Sequence, residues 1–158
     1  MDYSNSVQTF LPYPDFEDSL RCLDYRRLGK QRVEAMQILY CILGRTPDGW
    51  ANHPATRMWK PYPQALASYG LWACQIWTEL GYRDSCAKAF EDYLADCPDW
   101  DDSRYPVWFG REDFHASHRA ALLAKAPEHY GQFGWSEAPE INYVWPTKEP
   151  EWLKLTGG

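Results

Sequence analysis

Along the chain, apolar positions recur at helical rather than alternating spacing. Leu20, Leu23, Leu28, Met36, Ile38, Leu39 and Ile42 mark a helix from Ser19 to about Leu43, with Gly44 at its expected stop. Gly29 sits inside that run and predicts a kink or two abutting helices. A short helix follows Pro54, a longer one runs from near Pro63 through Leu66, Trp72 and Trp77 to a stop at Gly81, and another covers residues 84 to 96. The last runs from Glu112 to about Lys125 and is closed by Pro127. Pro12 and Pro14 keep residues 1 to 17 an extended arm, with Asp15 or Asp18 available as a cap, and Pro139, Pro146 and Pro150 make residues 139 to 158 an irregular tail. No run of alternating strands interrupts this order, so the fold class expected is all-α: one helical domain over residues 1 to 158 with long aromatic-rich loops.

One stretch departs from the apolar pattern. At about 100° per residue, Asp24, Arg27, Gln31 and Glu34 share one quadrant of the first long helix, the quadrant that also holds Leu20 and Ile38. Ions on a core-facing stripe are costly unless paired, so Arg27 is expected to bridge Asp24, Gln31 or Glu34. That reading leaves two outcomes open, a network that locks the helix and a reactive site. Arg26, Lys30 and Arg32 point out of the quadrant and suit contacts with phosphates.

Composition sharpens the picture in three ways. The net charge of −6 excludes a generic polyanion binder, yet the cations are concentrated in residues 21 to 60, whereas residues 91 to 102 carry only acids. The positive segment suits a phosphodiester backbone and the acidic run reads as a solvated surface. The nine tryptophans are partly core bulk and partly stacking faces. The five cysteines contain no C-x-x-C pair, which suits neither a disulfide framework nor a zinc ribbon, and they read as reduced thiols. With no apolar stretch near the ~20 residues a bilayer requires, the expectation is a cytoplasmic monomer without a membrane partner.

The run from Gln8 to Pro12, the stretch Leu23–Glu34, the block Gly49-Trp50-Ala51-Asn52-His53-Pro54-Ala55 with Met58-Trp59, and later His115–Arg119, Pro127–Tyr130 and Tyr143–Pro146 resemble a bacterial family of small proteins related to pyrimidine-dimer DNA glycosylases of the endonuclease V type. The resemblance spans about residues 8 to 146 and implies an all-α DNA glycosylase that needs neither metal nor redox cofactor. Its implied partner is double-stranded DNA with the target base flipped out. The phage-type enzymes place a catalytic Glu beside an Arg on the first long helix and use the N-terminal amine as nucleophile. Here Arg27 stands where an ungapped match puts that Glu, so Asp24 or Glu34 must replace it, with Asp24 the leading choice. Seven residues precede Gln8, which favours water as nucleophile and a monofunctional enzyme that leaves an abasic site. Lys30 remains an amine able to support lyase chemistry if desolvated.

The expected catalytic group is therefore Asp24, Glu34, Arg27, Gln31 and His53, the last protonating or hydrogen-bonding the leaving base, or else capping the helix that follows it. Arg26, Lys30, Arg32, Asn52, Arg57, His118 and Arg119 are expected to hold DNA, and no metal site is expected. The substrate that the resemblance leads one to expect is a damaged or modified pyrimidine, in base-excision repair or in defence against phages with modified bases. Two alternatives compete: a nucleic-acid binding module without chemistry, and a metal-dependent phosphodiesterase built on His115, His118 and His129.

Overall fold

The computed structural model describes residues 7–46, 51–101 and 104–147. Gly49 and Trp50 of the resembling block, Asp102 of the acidic run and the tail beyond Thr147 lie outside the described residues. Among the described residues the regular elements are helical and no strand occurs. In chain order they are α1 (Phe16–Arg21), α2 (Tyr25–Ile42), α3 (Pro54–Trp59), α4 (Pro63–Glu79), α5 (Ala87–Ala95), α6 (Glu112–Lys125) and α7 (Pro127–Tyr130), followed by a 3-10 turn at Gly131–Phe133.

The helix expected from Ser19 to Leu43 is two helices, and the break falls at Cys22–Asp24 rather than at Gly29. Local chemistry decides this. Asp24 has extended backbone, and its carboxylate accepts the Arg27 N–H, so it starts a new helix. Asp15 does the same for α1, accepting the Asp18 N–H at 2.7 Å. Gly29 stays inside α2 because Trp77 of α4 lies on it; a Cβ there would come within 2.9 Å of the indole. Gly44 and Gly81, with φ of +71° and +94°, follow α2 and α4 in the left-handed conformation that ends a helix cheaply only at glycine. The segment from residue 84 opens with a cap rather than a helical turn, since Asp84 accepts from the Cys86 and Ala87 N–H groups and α5 begins only at Ala87. Beyond Pro127, where the pattern predicts only a stop, proline instead opens the short α7.

α4 is the centre of the packing, against α1, α2 and α5, and its residues Ala65–Gly70 are buried without interruption. Trp59, Tyr69, Phe90, Phe114 and Tyr130 are the largest fully buried side chains. Trp59 and Trp108 meet edge to face in this core, whereas Trp72, Trp77, Trp135 and Trp145 lie only partly buried around it. All five cysteines are free, and burial pushes the Cys22 thiol up to about 12, so it holds its proton as an inert core group. Where α4 crosses α5, Phe90 lies against Gly70 so closely that a Cβ would fall 2.3 Å from the ring. Gly→Ala inside a helix ordinarily stabilises by about 1 kcal/mol. Here Gly70→Ala is expected to destabilise by about 1–3 kcal/mol through overpacking, read as a fall in the thermal midpoint.

The arm is what the helical pattern leaves unexplained. Residues 7–12 are largely buried yet pair with no strand, so their backbone N–H and C=O groups require other partners. Side chains from three helices supply them. Gln31 Oε1 accepts the Phe10 N–H at 2.8 Å and its Nε2 donates to the Gln8 carbonyl at 3.0 Å. The Tyr69 hydroxyl lies 2.6 Å from Gln31 Oε1 and 2.9 Å from the Phe10 carbonyl. From α6, His118 Nδ1 accepts the Leu11 N–H at 2.8 Å, His115 Nδ1 donates to the Leu11 carbonyl at 2.7 Å, and Arg119 donates to the Pro12 carbonyl at 2.8 Å.

Candidate active site

The polar quadrant of α2 exists as a continuous stripe, but its members do different work. At its N-terminal end Asp24 binds Arg27 Nη1 at 3.1 Å and accepts the Tyr130 hydroxyl at 2.5 Å, while its own N–H donates to that same hydroxyl oxygen at 3.2 Å. Burial alone would raise the Asp24 carboxyl; the Tyr130 and Arg27 hydrogen bonds and the Arg27 charge outweigh it and hold the group below its ordinary value. Of the three partners expected for Arg27, its ion pair is with Asp24. In mid-stripe Gln31 is 1% exposed and its amide is committed to the arm.

Glu34 closes the stripe at its C-terminal end. Oε2 accepts the Gln8 N–H at 2.8 Å. Burial pushes the Glu34 carboxyl up to about 7, against the downward pull of that N–H and of the charges on Lys30 and Lys125. Lys125, from the last turn of α6, is in turn held below its ordinary value by burial and by the neighbouring Arg27 and Lys30. Tyr143 from the tail completes the surround: its hydroxyl pairs with the Gln8 side chain, feels Arg27 and Glu34, and is raised by burial. A carboxyl half ionised near neutral pH, with Lys30, Lys125 and an aromatic hydroxyl beside it, can shuttle a proton.

Several residues expected at the site are drawn into the protein instead. Gln31 and His118 are bound to arm backbone, and burial drives His118 down to about 3, so it stays neutral beside Phe10, Phe114 and Tyr143. Arg119, expected on DNA, is buried in ion pairs with Glu112 and, at 2.9 Å, with Glu137. Arg32, also expected on DNA, pairs with Asp84 at 2.5 Å and lies 4.6 Å from the centre of the Trp77 ring, tying α2 to the loop before α5. His53 is the α3 cap: Nδ1 accepts the Ala55 N–H at 3.0 Å, the ring meets Trp145 edge-on, and burial lowers its pKa. Trp145 packs on Tyr143, so His53 stands two rings away from Glu34's neighbour. The histidines weighed as metal ligands are held by backbone, since His115 Nε2 also accepts the Gly110 N–H and His129 Nε2 lies 2.9 Å from the Cys22 carbonyl.

Arg26, Lys30, Asn52 and Arg57 remain exposed, as do Glu91, Asp92, Asp96, Asp99 and Asp101 of the acidic run. This sorting gives a contrast between two arginines. Arg26→Ala is expected to weaken DNA binding and to reduce the slope of log affinity against log salt by about one, with the thermal midpoint unchanged. Arg32→Ala strands a buried Asp84 and is expected to lower the midpoint while leaving the salt slope intact. Titrations of labelled duplex at several salt concentrations, beside melting curves, check both.

The site thus defines a helical protein with a half-buried carboxyl in a cationic surround, capped by its own N-terminal arm. The family model described as pyrimidine dimer DNA glycosylase matches residues 7–90, more than half of the chain, and the chain belongs to that family. The matched region begins at the arm and includes the whole stripe of α2; Lys125, Tyr130 and Tyr143 lie beyond it. No curated protein and no solved structure matches the chain. Among the described residues no helix is long and apolar enough to cross a membrane.

Proposed function

We propose that this chain is a monofunctional DNA glycosylase acting as a monomer on double-stranded DNA. It removes a damaged or modified pyrimidine, flipped out of the duplex, and leaves an abasic site, in base-excision repair or in defence against phages with modified bases. The observation that carries this reading is Glu34, a carboxyl poised near neutrality beside Lys30 and Lys125 in a chain of this family. Breaking the N-glycosidic bond builds positive charge on the sugar, which a fixed carboxylate stabilises. In the proposed step a water oxygen bonds to the sugar C1′ as the C1′–N bond breaks. Glu34 takes the proton released by the water, and the base departs with the bonding electron pair and is protonated in turn. The base takes that proton from solvent, because His53, the residue expected to supply it, is 6% exposed and committed to capping α3.

Water is the favoured nucleophile because the nitrogen at Glu34 is the Gln8 peptide amide, whose lone pair is delocalised and whose hydrogen points at the carboxylate. Asp24, fixed ionised by Tyr130 and Arg27, takes a positioning part, holding Arg27 at the edge of the site. Arg26, Lys30 and Arg57 grip the flanking phosphates from the exposed surface. The test is to incubate duplexes bearing candidate damaged or phage-type pyrimidines with the protein, identify the freed base by mass spectrometry, and cleave the product with alkali. Release of free base with strand scission only after alkali is the expected result. Binding without release from any of these DNAs would instead establish a module that kept the fold without the chemistry.

A further inference from the structure

A cleft of about 480 Å³ lies where the start of α4 faces the loop that follows α5, and none of its lining residues belongs to the α2 stripe. Pro61, Tyr62, Trp100 and Tyr105 give it apolar and aromatic walls, with Asp96 and Asp99 among them. Backbone hydrogen bonds hold it in shape. The Cys97 N–H donates to the Leu94 carbonyl at 2.9 Å, the Trp100 N–H to the Cys97 carbonyl at 3.0 Å and the Tyr62 N–H to the Trp59 carbonyl at 2.7 Å. Tyr105 is stacked on Phe109 at 4.9 Å between ring centres and 17° between planes, yet remains 49% exposed. The Tyr62 hydroxyl pairs with the backbone of Val107, which brings that valine, 67% exposed, to the edge of the cleft.

Acids dominate the charge on the loop side. Glu91, Asp92, Asp96, Asp99 and Asp101 are exposed, and residues 91–101 contain no lysine or arginine. Asp92 is paired with Lys88 at 3.1 Å, whereas Asp96 and Asp99 enter no ion pair among the described residues. A merely solvated acidic face needs neither a cleft nor fixed rings. Exposed apolar side chains within a charged rim are the anatomy of a protein interface, and a carboxylate beside an aromatic face is a seat for a guanidinium or ammonium group. A small organic cation leaves Val107 uncovered, whereas alternate side chains of an extended peptide, about 6–7 Å apart, reach from the cleft to its rim. Arg104, which also lines the cleft, suits a backbone carbonyl of the same peptide, because a guanidinium only donates.

We propose that this cleft docks an extended, basic segment of a protein partner, which seats an arginine or lysine side chain against Asp96 and Asp99 and lays an apolar neighbour on Tyr105 and Val107. Complementary charge sets the sign of the partner, and the exposed apolar rim sets its class. The docking surface stands apart from the glycosylase reading, since it shares no residue with the Glu34 site or with the cations given to DNA.

The test presents the immobilised full chain with a phage-displayed library of random peptides about nine residues long, counter-selected on the Asp96→Asn, Asp99→Asn double variant. Peptides with two or more arginines or lysines around an apolar residue are expected on the wild type alone. One recovered peptide, synthesised, is then titrated into the isotope-labelled chain and followed by NMR. It is expected to move the Trp100 indole and Ala65 backbone signals, and to bind about tenfold more weakly to the double variant and to Trp100→Ala. Trp100→Phe keeps a ring and is expected to retain most of the affinity. Val107→Ser is expected to weaken the peptide about three- to fivefold while leaving the much weaker binding of spermidine unchanged. Melting curves check that each variant is folded, and the double variant changes only exposed side chains. A library that yields no peptide specific to the wild type, recovered peptides without cations, or binding that leaves Trp100 and Ala65 unmoved would each overturn the proposal. So would spermidine that binds as tightly as the peptide, which would mark a site for a small cation instead.

Discussion

Glu34→Gln is expected to cut base release by about 10²- to 10⁴-fold, the range that a lost general base accounts for, and at the same time to make the folded protein more stable above neutral pH. The two effects share one cause. Burial lifts the Glu34 carboxyl to about 7, so the fold favours its protonated form. The sign follows from linkage: a carboxyl raised in the folded state contributes stability that is fully present below its ordinary value near 4.5 and is lost as pH rises to about 7. At pH 8 the wild type carries a partly buried anion, and glutamine removes it while still accepting the Gln8 N–H. Each tenfold change in proton affinity on folding corresponds to about 1.4 kcal/mol, and partial exposure to solvent reduces the effect. The variant therefore gains on the order of 1–2 kcal/mol at pH 8 and nothing at pH 4. The matching kinetic expectation is a wild-type rate that rises with pH through about 7. Melting curves at the two pH values beside single-turnover base release measure both. A variant that retains activity, or one no more stable than the wild type at pH 8, refutes the role given to Glu34.

Gln31→Leu is expected to be the most damaging single change on α2, with a loss of about 2–4 kcal/mol. Leucine fits the volume but strands the buried Phe10 N–H and the part-buried Gln8 carbonyl, while the Tyr69 hydroxyl keeps only its bond to the Phe10 carbonyl, and each such orphan costs about 1–3 kcal/mol before relaxation. The arm then loosens from α2, and because Gln8 is also what covers Glu34, the carboxyl regains water. The midpoint of the pH–rate profile is therefore expected to move below 7 along with the fall in stability. Tyr69→Phe is the control. It removes one hydroxyl, leaves both Gln31 hydrogen bonds to the arm, and is expected to cost about 1 kcal/mol with the pH midpoint unmoved. Denaturant titration and the pH dependence of base release, run on both variants, separate loss of stability from loss of cover.

These two residues also show where reading the chain as a string succeeds and where it stops. Asp24, Arg27, Gln31 and Glu34 are legible as one stripe because side-chain direction on a helix repeats every 3.6 residues. Their division of labour is not. Asp24 is the carboxylate that the string favours, yet its role as an α2 cap gripped by Tyr130 depends on a residue more than a hundred positions away, and Glu34 owes its perturbed carboxyl to an arm folded back over it. His118 and Arg119 carry the residue types of a DNA contact, but an arm without a strand partner takes its hydrogen bonds from them. Lys125 gives no signal beyond being the last cation of a helix, whereas Tyr143 stands in one of the blocks that resemble the family.

The all-helical class, the start of α3, the starts and stops of α4 and α6, and the concentration of cations before residue 61 follow from the order of residues alone, because periodicity, prolines, caps and glycines act over a few neighbouring positions. Which polar side chain faces a buried backbone, which faces solvent and which carboxyl is stripped of water are set by contacts such as Leu11 with His118, 107 residues apart. Desolvation and hydrogen-bond partnership are properties of that three-dimensional surround, so only the folded chain distinguishes Glu34 from Asp24.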